Sequence, residues 1–150
     1  MEMKNIQPIT MLYCSTRTNL AGLSEFVGTK VEELMADAAI NHLTLVGPVY
    51  WLYYGVDGKP ETIFELEIAF PVFVNKPYSG NFKLKELPPF KCYSTIHAGP
   101  WNEMEKAYGE LIGKAMAEDN TLTNNCREIY FNVDFVDISK NITEIQLGIN

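Results

Sequence analysis

Residues 63–70 read IFELEIAF, and residues 142–149 read ITEIQLGI, with the same apolar/polar rhythm and a Glu at the third place of each. An offset of 79 lays Ile63 on Ile142, Glu65 on Glu144, Leu66 on Ile145 and Ile68 on Leu147, and the same offset carries Ser15-Thr16 onto Ser94-Thr95 and Trp51 onto Tyr130. Alternation at period two is the mark of a half-buried strand, so three strands share one offset. Between them lie two amphipathic stretches with apolar residues three or four apart: Leu23, Val27, Val31, Leu34, Met35 and Ala38, then Trp101, Met104, Tyr108, Leu111, Ile112 and Ala115. That spacing predicts helices. Each half therefore reads strand, helix, strand, strand. The first runs through ITMLYCST, a helix from about Leu20 to Asn41, PVYWLYYGV and TIFELEIAF, and the second through FKCYSTIH, a helix from about Pro100 to Glu118, REIYFNVDF and TEIQLGI. Asp57-Gly58-Lys59-Pro60 and Ser139-Lys140-Asn141 supply the turns. Pro100 suits a first helical position, where its missing N–H is not needed.

The expected fold is α+β: one domain over residues 1–150, built from duplicated β-α-β-β units at about 9–71 and 90–150 with pseudo-twofold symmetry. The joining segment NKPYSGNFKLKELPP is too short to separate independent domains. One such unit has an open edge and too little core, so two placed side by side cover each other. The result is an antiparallel sheet with two helices on one face and a central cleft where a ligand would fit. In REIYFNVDF, Ile129, Phe131, Val133 and Phe135 form one face, expected under a helix, and Glu128, Tyr130, Asn132 and Asp134 form the other. In PVYWLYY, aromatic groups fall on both faces.

A net charge of −7 and a pI near 4.8 argue against nucleic-acid binding, which needs clustered Lys and Arg, and against an anionic membrane surface. No leader sequence opens the chain and no apolar run reaches the roughly 18 residues of a membrane span, so the cytoplasm is the expected compartment. Cys14, Cys92 and Cys126 are odd in number and lack a C-x-x-C pair; they read as small buried hydrophobes, not as a disulfide framework or zinc knuckle. His42 and His97 are far apart and in no metal-binding pattern, and no phosphate loop or G-x-S-x-G is present, so neither metal nor cofactor is expected. His97, beside Gly99-Pro100, is expected to hydrogen-bond around the start of the second helix.

LPPFKCYSTIHAGPWNEMEKAYGELI, then REIYFN, then a terminal TEIQLGI together resemble the bacterial GyrI-like small-molecule-binding domain, also known as the effector-binding domain of certain transcription activators. The resemblance rests on His97, Gly99 and Trp101 at the second helix, on Glu128 and Tyr130, and on the closing strand Thr143 to Ile149; it covers nearly the whole chain, including GPVYWLYY. Gly148 stands where that family usually has Pro, and no helix-turn-helix precedes the domain, so a free-standing effector domain is expected rather than a DNA-binding regulator. The resemblance implies a cleft in which aromatic rings surround one acidic side chain and receive hydrophobic, often cationic, compounds, as in multidrug binding.

Glu128 is the candidate carboxylate, with Tyr130, Trp51, Tyr53, Tyr13, Tyr93 and Trp101 as candidate ligand-binding aromatics. A carboxylate among Trp and Tyr rings attracts an organic cation by charge and by the negative ring faces. Glu65, Glu67 and Glu144 also fit solvent-facing strand positions, and Trp101 and Tyr108 also fit core packing on the helical stripe. Two alternatives stay open. One is a hydrolase that opens strained, cyclopropane-type electrophiles with Glu128 and Tyr130 as its catalytic pair; the other is a gyrase-inhibitor-like module that binds a protein partner.

Overall fold

The computed structural model describes residues 1–23 and 28–150. Nine strands, β1 (Glu2–Ile6), β2 (Ile9–Thr18), β3 (Thr44–Leu45), β4 (Tyr50–Tyr54), β5 (Phe64–Phe73), β6 (Lys83–Leu87), β7 (Phe90–Ala98), β8 (Leu122–Asn132) and β9 (Ile142–Ile149), form one sheet. The helices are α1 (Lys30–Ile40) and α2 (Met104–Ala117). The sheet runs β1-β7-β9-β8-β4-β5-β2-β6, with β3 paired to β5, and every pairing is antiparallel. Read inward, each β-α-β-β unit lies in the order first, third, second strand: β2-β5-β4 and β7-β9-β8. Strands β4 and β8 meet at the centre. Strands β1 and β6 lie outside those units and extend the sheet at its two ends.

Register refines the sequence offset. Cys14 opposes Ile68 and Thr16 opposes Leu66, just as Tyr93 opposes Leu147 and Thr95 opposes Ile145, so the outer pairings of both halves keep the spacing of 79. The inner pairings do not. Trp51 opposes Ile68, yet Leu147 is opposed by Cys126 and not by Tyr130. Glu128 and its partner Ile145 are 17 residues apart where Tyr53 and Leu66 are 13 apart, so the longer connection shifts β8 by four residues and Tyr53, not Trp51, takes the place that Glu128 occupies in the other half. The central pairs Trp51–Glu128 and Tyr53–Cys126 are thus symmetric about the middle of the sheet.

Both helices pack on the same face. Leu34 and Ala38 of α1 and Leu111 and Ala115 of α2 join Leu12, Tyr53, Leu66, Ile68, Tyr93, Cys126, Ile145 and Leu147 in one core. Met11, Leu52, Ala69 and Leu87, with Tyr13, Tyr50 and Tyr54, make a smaller cluster on the helix-free face. The expected faces of β8 are therefore reversed. Cys126, Glu128 and Tyr130 lie toward the helices, whereas Ile129 is buried on the helix-free side and Phe131 is largely exposed. Strand β8 ends at Asn132, so Val133 and Phe135 belong to a loop and their apolar alternation is not a strand face.

The helix expected from about Leu20 to Asn41 is broken at Gly28, and residues 24–27, Val27 among them, lie outside the described residues. Asn19 caps a 3-10 turn at Leu20–Gly22 by accepting from the Gly22 N–H at 2.8 Å, and α1 begins at Lys30. Gly28 has φ of 31°, outside helical space, which separates the two pieces. Pro100 is likewise the cap of a 3-10 turn, Trp101–Glu103, ahead of α2. Tyr78 of the joining segment donates a hydrogen bond to Asp37 of α1, which also accepts from the Asn81 N–H at 3.0 Å, so the crossing between halves is pinned to the first helix. Among the described residues no helix is long and apolar enough to cross a membrane.

Gly148 has a steric reason. A Cβ there would come 2.7 Å from the carbonyl oxygen of Asn125 and press on Thr123 and Phe90, because the β8 bulge, with Asn124 at φ of 62°, fills that space. Gly148→Ala is expected to destabilise the fold by about 1–3 kcal/mol, the usual cost of overpacking. Urea denaturation checks it, and an unchanged midpoint would mean the bulge yields freely.

Candidate functional site

Glu128 occupies the middle of β8, and three elements bring phenols to it. Tyr53 of β4 donates to its Oε1 at 2.9 Å, Tyr130, two residues on along the same face, donates to Oε1 at 2.5 Å, and Tyr108 of α2 donates to Oε2 at 2.5 Å. The Glu128 residue is 6% exposed. Further rings line the wall: Trp51 meets Tyr130 edge-on at 5.4 Å, Trp101 meets Tyr130 at 5.9 Å, and Phe135 meets Trp101 at 5.8 Å. This edge-to-face chain runs from a largely exposed Phe135 down to the buried acid. The indole N–H of Trp101 is buried without an acceptor among the described residues.

Burial drives the titration of this group. Removal from water raises the Glu128 pKa, and the three phenol hydrogen bonds, which favour the charged form, offset it only in part. Tyr53, Tyr108 and Tyr130 are all pushed well above their ordinary value, first by burial and then by the adjacent carboxylate. They are neutral donors at any physiological pH.

Of the candidate residues, the structure brings together Glu128, Tyr130, Tyr53, Trp51 and Trp101. Tyr13 lies on the opposite face of the sheet, its ring under the Lys85 ammonium at 4.4 Å. Tyr93 is part of the core, and its hydroxyl accepts from Asn120 at 3.0 Å. Glu67 and Glu144 are buried on the helix-free face: Lys85 and Tyr54 bond Glu67 at 2.6 and 3.0 Å, and Lys4, Ser94 and Gln146 bond Glu144 at 3.1, 2.9 and 2.6 Å. They are not the solvent-facing residues that alternation suggests. Tyr108 is the site residue that reads as core from its place on the helical stripe; its position on the same stripe as Leu111 and Ala115 hides a hydroxyl that reaches the sheet. Phe135 gives no signal as a site residue, since it falls beyond the end of β8. His97 Nε2 lies 2.8 Å from the Pro100 carbonyl, at the start of the helical segment as expected. Among the described residues no three His, Cys, Asp or Glu side chains cluster as a metal site requires.

The expected cleft is not open at Glu128. One groove, about 860 Å³, lies where β7 meets the start of α2, lined by Thr95, His97, Asn102, Glu103, Lys106 and Glu110. A smaller one, about 360 Å³, is lined by Arg17, Tyr54, Ile63, Phe64 and Glu65. Neither touches Glu128, whose carboxylate is buried beneath three phenols, with the Trp rings packed around Tyr130.

The family model of the GyrI-like small molecule binding domain matches residues 1–150. This chain belongs to that family. The GyrI-like domain has the fold of the EcmrR C-terminal domain, with a TM-score of 0.78 at 23% identity, covering 99% of this chain and 96% of that one. SAV2435 bound to tetraphenylphosphonium shares the fold at a TM-score of 0.71 and 14% identity, over 99% and 93% of the two chains. A hydrolase from Listeria innocua shares it at 0.68 and 13% identity, over 99% and 91%. No curated protein is significantly similar to the chain.

The raised pKa of Glu128 makes stability depend on pH. Below about 4.3, the ordinary Glu value, the group is protonated folded and unfolded and costs nothing. As pH rises above that, the unfolded chain ionises first, so stability is lost until pH passes the folded-state pKa. Glu128→Gln cannot ionise, and its altered hydrogen bonds add only a pH-independent offset. The stability of wild type relative to Glu128→Gln is therefore expected to fall as pH rises from about 4.3, with a limiting slope of about 1.4 kcal/mol per pH unit, and to level off once the folded protein also ionises. Denaturant titrations at a series of pH values measure it. A constant difference would show that burial does not penalise the charge.

Proposed function

We propose that this GyrI-like domain binds a hydrophobic organic cation, with Glu128 as its counter-charge and Tyr53, Tyr108, Tyr130, Trp51 and Trp101 as its aromatic wall. One observation carries the reading. Glu128 is buried and bonded by three neutral hydroxyls, and no Lys, Arg or His pairs with it among the described residues. A carboxylate so placed has its polar contacts met but its charge uncompensated, and the surrounding ring faces attract cations by about 0.5–2 kcal/mol per contact. The tetraphenylphosphonium held by SAV2435 is a compound of this kind and a natural probe. Its approach requires the rings over Glu128 to tilt, and the Phe135–Trp101–Tyr130 chain is where the wall reaches the surface. The three free cysteines fit a reducing, cytoplasmic setting, and the net charge of −7 favours cationic ligands over nucleic acid.

A second reading, hydrolysis of a strained electrophile, has its own support. A carboxyl with a raised pKa and phenols 2.5 Å away can exchange a proton with a bound substrate. In that case Glu128→Gln abolishes turnover while binding of a neutral substrate persists.

Calorimetry with tetraphenylphosphonium and with neutral triphenylphosphine oxide tests the binding reading. Glu128→Gln is expected to weaken the cation by about 1–3 kcal/mol, the range of charge-assisted contacts, and the neutral compound much less. Equal affinity of wild type and variant for the cation would reject Glu128 as its counter-charge.

A further inference from the structure

The helix-free face holds a second buried charge. Arg127 of β8 sits in register between Leu52 of β4 and Gln146 of β9, flanked on the same face by Tyr50 and Tyr54. It is 5% exposed, and its guanidinium lies 4.0 Å from the centre of the Phe90 ring. Its Nη1 is buried with no acceptor, and no carboxylate pairs with it among the described residues. The two buried acids of this face are already taken, Glu67 by Lys85 at 2.6 Å and Glu144 by Lys4 at 3.1 Å. Gln146, the residue paired with Arg127, spends its Nε2 on Glu144 at 2.6 Å and leaves a buried Oε1 without a donor.

A buried guanidinium without a counter-charge is costly. A planar fork stacked on an aromatic ring, with unfilled N–H groups, matches one class of ligand: an oxyanion bound through two parallel hydrogen bonds. We propose that Arg127 is the centre of an oxyanion site on the helix-free face, separate from the Glu128 site, that takes a small free carboxylate or phosphate. Gln146 Oε1 favours an oxyanion that also carries a hydroxyl, as hydrogen phosphate does. Tyr54, which flanks Arg127, also lines the smaller groove with Arg17 and Glu65.

The chain has two arginines, Arg17 and Arg127, so protein labelled with ¹⁵N-arginine gives two side-chain Nε–H signals, with the exposed Arg17 as the internal control. Sodium formate, inorganic phosphate and chloride are titrated separately at constant ionic strength. The expected result is a saturable shift of the Arg127 signal with formate or phosphate, at concentrations that leave Arg17 in place, and none with chloride. Phosphate saturating first assigns a role to Gln146; equal saturation by both anions assigns the site to Arg127 alone. In parallel, a hundredfold excess of the anion over its dissociation constant raises the folding equilibrium constant of wild type about a hundredfold, and Arg127→Lys, which keeps charge but loses the fork, loses most of that gain. Signals that stay still, or that drift together and linearly in all three salts, would overturn the proposal and leave Arg127 and Gln146 to be bridged by water.

Discussion

Taking one carboxylate out of water is the constraint around which the middle of this protein is organised. Burying a charge costs several kcal/mol, and hydrogen bonds to a charged group return roughly 1.5–3 kcal/mol each. The donors to Glu128 come from β4, β8 and α2, so they converge only when the two halves pair at the centre and the second helix docks. Fold and site are therefore assembled by the same contacts. The raised pKa of Glu128 shows which effect wins: desolvation exceeds the help of three phenols. The domain carries a charge it has not fully compensated.

The two faces of the sheet handle polar groups differently. Toward the helices, the polar atoms near the centre are hydroxyls, which can satisfy an anion without cancelling it. On the other face the buried carboxylates are cancelled outright, each by a lysine from an end strand: Lys4 of β1 holds Glu144 of β9, and Lys85 of β6 holds Glu67 of β5. Each ion pair reaches across the strand beside it and ties β1 and β6, which lie outside the two β-α-β-β units, to the interior of the sheet. Lys85 also spans the rings of Tyr13 and Tyr54, so its stem and charge are both used.

Period-two alternation makes the strands of both units and their outer registers legible, because a slip of one residue would turn the whole apolar set outward. It fails at β8 for a physical reason. Apolarity ordinarily marks the side of a strand that faces a helix, but the helix side at the centre is built from Glu128, Tyr130 and Tyr53, whose polar atoms satisfy one another, while Ile129 is buried beneath no helix at all. Phe131 carries the false pattern to the end of the strand, and Val133 and Phe135 lengthen it beyond. Tyr108 is legible as a buried helical residue and illegible as a partner of Glu128, since helical spacing fixes a face but says nothing of what a hydroxyl at its tip will reach. The four-residue shift of β8 cannot be read either, because a shift by an even number of residues keeps every side chain on its own face of the strand.

On the proposed reading, the difference between the faces also separates the acids by what each could offer a cationic ligand. Glu65 is exposed, and an incoming cation there would gain only the small, salt-screened attraction of a surface pair. At Glu67 or Glu144 the cation would first have to displace a lysine, and the exchange of one cation for another gains little. Glu128 differs on both counts, since it is buried and its neighbours are neutral. Two carboxylate oxygens offer about four acceptor positions and three phenols fill three of them, so one acceptor position is left over. The low local dielectric that makes the bare charge expensive strengthens its attraction for an arriving positive charge in the same proportion. On that reading, the energy that folding gives up in burying Glu128 would be recovered by a partner that is both cationic and apolar enough to enter among the rings.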